Sequence, residues 1–409
     1  MRKMKDSGVE WIGEIPKDWN CMRLKFAFGN SNVGESVDKE LYSSDENGYI
    51  FYTAGANPVK TSYTEFPMWK YTTDNDILLA RNGTPYIYLP SKDAVYSDHI
   101  IRINIKDGYC RRFLRYCLQR SIESIIVDSV SIATWSISLW KEQKLPLPYY
   151  HEQKYLADYL DSKCSKIDEI IEKQQAIIKK LKEYKFSIIT EAVTKGINPD
   201  VELKDSTIDM CEQIPVHWGI SQNRYLFSLR DEKNYKPLEE VRLLSLYTDL
   251  GVFPHGEQEE RGNKAVKAEG YKVVYENDIV VNIILAWMGA IGRSAYDGVT
   301  SPAYDIYKPN ENVCSRYYHY LYRTKPFSAE CYKYGRGIMA MRWRTYSSEF
   351  KSIKVPVPPY IEQCQIADYL DSKCEMLDKT IADRNKAIDI LQKYKKSLIY
   401  EIVTGKKEV

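Results

Sequence analysis

The sequence contains one eight-residue run twice: Ala157-Asp158-Tyr159-Leu160-Asp161-Ser162-Lys163-Cys164 returns, unchanged, as residues 367–374. The match extends to both sides of this run. Residues 144–195 align with residues 354–405 without a gap, and 25 of the 52 positions are identical. Chance does not produce an ungapped match of this length, so the chain contains an internal duplication.

The duplication also includes the segments at the start of each copy. Residues 5–7 return as residues 204–206, and the pair Ile15-Pro16 returns as Ile214-Pro215. Between these ends the copies agree only in short islands. The two copies are thus similar at their ends and divergent in their central parts, which we call the middles, and two interpretations of this remain open. One is a duplicated enzyme or structural repeat whose middles drifted neutrally, and the other is one scaffold that carries two different binding domains.

A long helix is predicted in the similar part of each copy. Proline-rich segments at residues 146–148 and 356–359 each end a strand-like stretch and precede a predicted helix. Residues 152–194 contain neither glycine nor proline. Apolar residues then recur at alternating steps of three and four, which is the heptad pattern of a coiled coil. The predicted seam consists of Leu160, Ile167, Ile171, Ile178, Leu181, Ile188, Leu370, Leu377, Ile381, Ile388, Leu391 and Leu398.

A helix of about 40 residues is roughly 60 Å long and cannot bury such a seam within a small domain. The simplest prediction is that the two helices bury their seams against each other; the alternative is a pair of unrelated arms that grip other proteins. Polar residues interrupt the seam at the same level in both copies, Gln174 with Arg384 and Lys185 with Lys395. Such interruptions typically fix the register of a helix pair.

The divergent middles have a mixed α/β pattern. Apolar, β-rich runs at residues 76–80, 99–103, 271–274 and 278–285 lie between turn residues, and basic helical stretches follow at 111–120 and 316–323. The predicted fold class is α+β, with two mixed domains in a tandem pseudo-repeat and two long helices. The predicted segments are domain 1 (1–145), helix 1 (146–196), domain 2 (197–355) and helix 2 (356–409).

Composition limits the possible classes of protein. The net charge of +2 argues against a generally basic nucleic-acid binder, so any DNA-binding surface must be local. No stretch is long and apolar enough to span a membrane, and the first residues lack the apolar core of a signal peptide, which predicts a cytoplasmic protein. Nine cysteines without a CxxC pair make disulfides and a zinc site poor expectations.

Catalytic patterns are missing or incomplete. An adenine methyltransferase needs a hydrogen-bond acceptor before its Pro-Pro-Tyr segment, and here that position is Val357. The segment that resembles a nuclease pattern, residues 199–204, is contiguous, whereas the nuclease pattern needs two separate strands. There is no phosphate-binding GxxxxGK[ST] loop, and the five histidines lack metal-ligand spacing.

Arginine is concentrated in two places. Residues 110–120 contain four arginines and no acidic residue, and residues 314–344 contain seven basic residues against Glu330. Arginine binds guanine edges and phosphates, so both segments are candidates for DNA contact. An ordinary solvated helix face remains the alternative, above all for residues 111–120.

Several motifs resemble the specificity subunits of type I restriction-modification systems. They are the openings at residues 11–19 and 214–218 and the joins at 146–160 and 356–370, each with a Glu-Gln pair. The ending at residues 401–406 fits as well. In the second middle, residues 292–294 and 301–304 are similar to the target-recognition pattern of the family, and residues 81–84 hold the comparable place in the first.

The resemblance implies two target-recognition domains, each bound to one half of a split site on double-stranded DNA. It also implies an antiparallel helix pair that docks two methyltransferase subunits, which bring S-adenosylmethionine, and restriction motor-nuclease subunits, which bring ATP and Mg²⁺. This chain itself would hold no catalytic, cofactor or metal residue. Candidate DNA-binding residues are Arg81, Asn82, Thr84, Arg293, Ser301, Tyr304, Arg336, Arg342 and Arg344. The alternatives are a two-headed coiled-coil adaptor for proteins and, third, a self-contained methyltransferase.

Overall fold

A computed structural model describes residues 2–43, 48–126, 134–248, 250–256, 268–337 and 343–409. Its contacts divide the chain into two units, one of Met1–Gln174 with Asn385–Val409 and one of Gln175–Arg384. The division falls inside the two long helices, so each unit contains a half of each helix. None of the helices in the described ranges is long and apolar enough to cross a membrane.

The first unit begins with short strands and ends in a long helix. Its strands are β1 (Met4–Asp6), β2 (Glu14–Pro16), β3 (Asn20–Arg23), β4 (Phe28–Val33), β5 (Tyr42–Ser43), β6 (Tyr49–Tyr52), β7 (Val59–Thr61), β8 (Asp76–Ala80), β9 (Ile87–Tyr88), β10 (Val95–Tyr96), β11 (Ile100–Ile105) and β12 (Lys144–Leu147). Its helices are α1 (Arg111–Ile126), α2 (Ile137–Lys141) and the first half of α3 (Tyr150–Lys195).

The principal sheet of this unit has the order β4-β11-β8-β9 and is antiparallel throughout. Every residue of β8 is buried, and α1 packs against β8 and β9. A second sheet has the order β10-β6-β7-β5, with β10 parallel to β6. The β-rich runs predicted at residues 76–80 and 99–103 therefore form the two central strands of the principal sheet.

The second unit repeats much of this order. Its strands are β13 (Leu203–Ile208), β14 (Cys211–Pro215), β15 (Gly219–Gln222), β16 (Phe227–Arg230), β17 (Leu244–Tyr247), β18 (Gly251–Pro254), β19 (Lys272–Val274), β20 (Ile279–Asn282), β21 (Ile291–Arg293), β22 (Gly298–Thr300), β23 (Tyr304–Pro309) and β24 (Lys354–Val357). Its helices are α4 (Asn223–Leu226), α5 (Ser315–Tyr322), α6 (Lys325–Tyr334), α7 (Ser347–Ser352) and the first half of α8 (Tyr360–Val403).

The principal sheet of the second unit has the order β16-β23-β20-β21, which is the same topology as β4-β11-β8-β9. The islands of agreement between the divergent middles are part of this framework. Buried Asp76 accepts a hydrogen bond from the backbone N–H of Thr73 (2.6 Å), and buried Asp278 accepts one from that of Tyr275 (2.9 Å). The middles therefore share a sheet that their sequences barely reveal. The predicted strand at residues 278–285 is shorter than expected, because the chain turns after Asn282.

The two long helices span Tyr150–Lys195 and Tyr360–Val403, and a glycine follows the end of each. Gly196 and Gly405 have φ values of 80° and 69°, a left-handed conformation that stops a helix and that glycine adopts without strain. The start of α8 and the end of α3 also contribute to the hydrophobic core of the second unit. Leu370 and Ile188 belong to one buried cluster with Trp218 of the same unit. Leu370 is therefore a core residue of this unit, and its role is wider than the helix seam predicted from the heptads.

Candidate nucleic-acid interface

The candidate residues of the first unit lie together in the loop that follows β8. The Arg81 guanidinium donates to the backbone oxygen of Asp98 (3.1 Å), and the Asn82 amide contacts His99 Nδ1 (3.0 Å). Thr84 is exposed, whereas Arg81 and Asn82 are half-buried. The fold brings these three residues to one end of the principal sheet, with Arg81 and Asn82 held by neighbours in the same unit.

The same loop position exists in the second unit, with different chemistry. After β8, the backbone N–H of Trp135 donates to the oxygen of Arg81 (2.6 Å); after β20, that of Thr345 donates to the oxygen of Ile283 (2.9 Å). Ile283 thus occupies the place of Arg81. A guanidinium at this point of one sheet corresponds to an aliphatic side chain at the same point of the other.

Arg293, at the end of β21, is bound by its own unit. Its Nε donates to Asn277 Oδ1 (2.8 Å), and its terminal nitrogen lies 3.3 Å from a carboxylate oxygen of Glu276. The Arg293 side chain is 21% exposed. These acceptors hold the guanidinium against the protein, which leaves it less available to an external ligand than the family pattern implies.

Ser301 and Tyr304 form a turn that leads into β23. The backbone oxygen of Ser301 accepts from Tyr304 N–H (3.1 Å), and its hydroxyl oxygen accepts from Ala303 N–H (3.3 Å). Tyr304 packs against a small hydrophobic cluster that contains Val280, and burial raises the pKa of its phenol. Both residues therefore have a structural role in this turn.

Arg336 and Arg344 form the base of a loop. Their backbones exchange two N–H···O bonds of 2.9 Å each, and the indole ring of Trp343 stacks on Tyr332 at 4.8 Å. The Arg336 side chain is 78% exposed although its Nε contacts a Glu349 oxygen at 2.8 Å. Among the candidate arginines that the structure describes, Arg336 has the most exposed guanidinium. The predicted contact at Arg342 lies outside the described residues.

The basic stretch at residues 111–120 forms contacts within its own unit. The Arg112 guanidinium donates to Asp161 (2.7 Å) and Asp158 (2.6 Å) on α3. Burial opposes the charged form of Arg112, but the hydrogen bonds to both carboxylates outweigh burial and raise its pKa. Beside it, the amide of Gln153 accepts from Cys110 N–H (2.9 Å) and donates to the backbone oxygen of Pro148 (2.9 Å). We name Gln153, Arg112, Asp158 and Asp161 the first clamp.

The second unit contains the same arrangement. Arg316 donates to Asp371 (2.7 Å) and Asp368 (2.6 Å), while Gln363 accepts from Cys314 N–H (2.8 Å). Its amide nitrogen donates to the oxygen of Pro358 (2.8 Å). We name Gln363, Arg316, Asp368 and Asp371 the second clamp. Pro358 belongs to the segment that resembles a methyltransferase motif, and here its carbonyl is bound at the start of α8.

The clamps correct the interpretation of the basic helices. Arg111 also donates to the backbone oxygens of Asp76 (3.1 Å) and Pro90 (3.2 Å), and Arg120 pairs with Glu123. The arginines of residues 111–120 are thus neither a DNA surface nor an ordinary solvated face. One signal in the sequence could have indicated this: an arginine and two aspartates recur together in both copies.

The two long helices run antiparallel in each unit. In the second unit, Lys185 Nζ lies 2.6 Å from both carboxylate oxygens of Asp378, and the core cluster joins Ile188 to residues earlier in α8, including Leu370. In the first unit, Lys395 Nζ lies 2.7 and 2.6 Å from the oxygens of Asp168. The two lysines that interrupt the seam therefore form ion pairs between the helices.

The predicted seam residues differ in exposure. Leu181, Ile381 and Leu391 are half-buried. The buried seam residues, which include fully buried Leu160 and Leu370, are Leu160, Ile167, Ile171, Ile178, Ile188, Leu370, Leu377, Ile388 and Leu398. Among the described residues, no group of three histidines, cysteines or acidic residues could hold a metal ion.

Comparison with known proteins gives a consistent family assignment. Residues 16–191 match the family model of the type I restriction modification DNA specificity domain. The chain is 25% identical to the type I restriction enzyme MjaX specificity subunit of Methanocaldococcus jannaschii, over 97% of this chain and 95% of that protein. It also has the fold of a chain solved in work on complex assembly and conformational transition of the type I R-M system. That similarity has a TM-score of 0.68 at 13% identity and covers 96% of this chain and 99% of that one. Residues 16–191 are thus similar to the type I restriction modification DNA specificity domain, and the whole chain is similar in sequence to a type I specificity subunit.

Proposed function

We propose that the chain recognises a DNA site in two separate halves, with residues 1–145 and 197–355 as the two target-recognition domains. The observation that carries this proposal is the sheet common to both units, β4-β11-β8-β9 and β16-β23-β20-β21. Its loop after the central strand has Arg81 in one unit and Ile283 in the other. Base readout depends on the donors, acceptors and apolar groups offered to the groove, so one framework with two sets of side chains suits two different half-sites.

The exposed guanidinium of Arg336, whose backbone pairs with that of Arg344, supports a DNA-binding role for the second unit. Arginine forms bidentate hydrogen bonds to guanine and pairs strongly with phosphates. We assign the same role in the first unit to the loop of Arg81, Asn82 and Thr84. Arg293, Ser301 and Tyr304 then serve chiefly to shape their own unit, because two acceptors hold the Arg293 guanidinium and the other two residues form the turn into β23.

Catalysis is assigned to partner subunits. We propose that two methyltransferase subunits dock on the long helices and bring S-adenosylmethionine, and that restriction subunits bring ATP and Mg²⁺. The complex would act on chromosomal DNA in the cytoplasm. This chain would select the sequence and contribute no catalytic, cofactor or metal residue.

An exchange of domains tests the two-half model. Residues 1–145 are replaced by the first recognition domain of another specificity subunit, and methylated adenines are mapped in cells that also produce the methyltransferase subunits. We expect one half of the methylated site to change and the other to stay. The matched control replaces residues 197–355 and should change the opposite half. If both halves changed together in either chimera, the proposal would be wrong.

The purified chain provides a second test. We expect weak DNA binding whose affinity falls steeply with salt, since contacts between arginine and phosphate release counterions. Methyl transfer or cleavage by the purified chain, persisting after its partner subunits are deleted from the production host, would contradict the assignment.

A further inference from the structure

Each long helix is joined to the domain before it by a glutamine with two opposed hydrogen bonds. Gln153 and Gln363 are each 1% exposed. Each amide accepts from the first residue before a domain helix, Cys110 or Cys314, and donates to a proline carbonyl at the start of its own long helix. Because water cannot reach these amides, shifting the domain on its helix would leave buried polar groups without partners.

The arginine of each clamp adds a second attachment, to aspartates that lie about one and a half to two turns further along the helix. Arg112 binds two aspartates on α3 that are three residues apart, so they lie on the same face of that helix. Tyr116 donates to the same Asp161 (2.7 Å), as Tyr320 does to Asp371 (2.6 Å). Two separated attachments define an angle as well as a position.

We propose that Gln153 and Gln363, with Arg112 and Arg316, are positioning residues that fix the angle of each recognition domain on its helix. They would thereby enforce the number of base pairs between the two half-sites. This inference rests on the proposed recognition of a split DNA site. It assigns to the clamps no contact with DNA and no role in the choice of bases.

The geometry of DNA explains why this angle matters. One additional base pair moves a half-site by about 3.4 Å along the axis and rotates it by about 34°. A domain held rigidly on its helix cannot follow that rotation, so a site with the wrong spacing is rejected. A domain that can tilt on its helix follows part of the rotation, and neighbouring spacings become acceptable.

The test is a map of methylated adenines in cells that produce the methyltransferase subunits together with the parent chain or a variant. The variants are Arg112→Gln, Arg316→Gln and both together, each of which removes the charge and shortens the side chain but keeps a polar amide. We expect the half-site bases to stay the same. Methylation at sites one base pair longer or shorter, relative to the native spacing, should rise about tenfold in each single variant and further in the double variant.

Matched controls separate positioning from folding. Glu169→Gln removes an exposed ion pair with Lys173 on the same helix and should leave the spacing unchanged. Arg112→Lys retains a charge and should restore part of the discrimination. If Arg112→Gln does not fold, Asp158→Asn removes one of the two carboxylates and should relax the spacing to a smaller extent.

The outcomes distinguish this inference from the function on which it rests. Folded clamp variants that reject wrong spacings as strictly as the parent would overturn the positioning role while leaving split-site recognition intact. Altered half-site bases would overturn it too, because they would indicate contact with DNA. A parent map without any two-part site would overturn the proposed function, and this inference with it.

Discussion

Lys395 Nζ lies within 2.7 Å of both carboxylate oxygens of Asp168, a residue of the other long helix. The duplication repeats this ion pair as Lys185 with Asp378. All four residues occupy equivalent positions of the two copies, at a shift of 210. Each lysine stands at a position of the heptad seam where an apolar residue is expected, and each forms an ion pair with a carboxylate of the antiparallel helix. The ion pairs therefore specify which levels of the two helices meet.

Reversal of one charge tests this role. Lys395→Glu brings two carboxylates together at a partly exposed site, and we expect it to lower the free energy of unfolding by about 1 kcal/mol. Asp168→Lys in the same chain should recover most of that loss. The measurement is urea denaturation followed by the helical signal. Lys173→Glu, at an exposed pair within one helix, is the control; an equal loss there, or no recovery in the double variant, would contradict a specific pair.

Leu370 and Leu377 are one heptad apart, and we expect different consequences from a lysine at each. Leu370 is fully buried in the core of the second unit, so Leu370→Lys should cost about 3–5 kcal/mol and loosen the whole unit. Leu377 is 5% exposed, and a lysine there can extend its charge to solvent. Leu377→Lys should therefore lower the free energy of unfolding by only about 1–2 kcal/mol. Hydrogen exchange should increase across β20 only in the first variant. Equal exchange in both would show that Leu370 does not belong to the domain core.

The length of the helices should determine the distance between half-sites. Insertion of one heptad after Gln174 and one after Arg384, where the two units divide, keeps the heptad register and lengthens each helix by about 10 Å. We expect loss of methylation at native sites. Methylation regained should be at sites with a spacer about three base pairs longer and the same half-site bases. Full methylation at the native spacing would show that the helices do not set this distance.

Arg336→Ala should weaken DNA binding because this guanidinium is the most exposed among the described candidate arginines. We expect a loss of about 1–3 kcal/mol if it binds a base, with altered preference in the second half-site only. Arg293→Ala is the matched control, since its guanidinium is bound by Asn277 and Glu276. Titration of DNA fragments at two salt concentrations measures both. A larger effect of Arg293→Ala would reverse the assignment of the two arginines.

His319 should make the second unit sensitive to acid. Burial and the nearby cations of Arg323 and Arg293 lower its pKa to about 3, and both ring nitrogens face N–H donors. In the unfolded chain His319 takes up a proton at about pH 6.5, whereas in the folded chain it does so only near its lowered pKa. The free energy of unfolding is therefore unaffected by His319 above pH 6.5 and decreases as the pH falls toward the folded pKa.

Because of this histidine, we expect the free energy of unfolding to decrease by at most about 1.4 kcal/mol per pH unit between pH 6 and pH 4. His319→Gln should flatten the pH dependence of the free energy of unfolding in this range. An unchanged slope in His319→Gln would show that this imidazole is protonated in the folded protein.

Local patterns predicted the elements of this protein well. The heptads and proline stops predicted both long helices to within a few residues, and the apolar run at 76–80 is strand β8. Periodicity succeeds here because helix and strand are determined by neighbouring residues, whose apolar side chains must share one face.

Contacts between distant residues were not predictable from the same patterns. The arginines at 111–120 were candidates for DNA contact or solvation, yet Arg112 is bound by Asp158 and Asp161. The sheet shared by the two middles was equally hidden, because its strands are kept in common by burial and backbone pairing rather than by particular side chains.

The sequence by itself determined the duplication, the two long helices and the resemblance to type I specificity subunits. The tertiary structure alone decided which charges hold the protein together and which remain available to a ligand. Arg112 and Arg336 look alike in the sequence, since both lie among basic residues with few acids nearby. One faces two carboxylates on a helix and the other is 78% exposed. The physical reason is that a charge pairs across space, with groups that only the folded chain brings within hydrogen-bond distance.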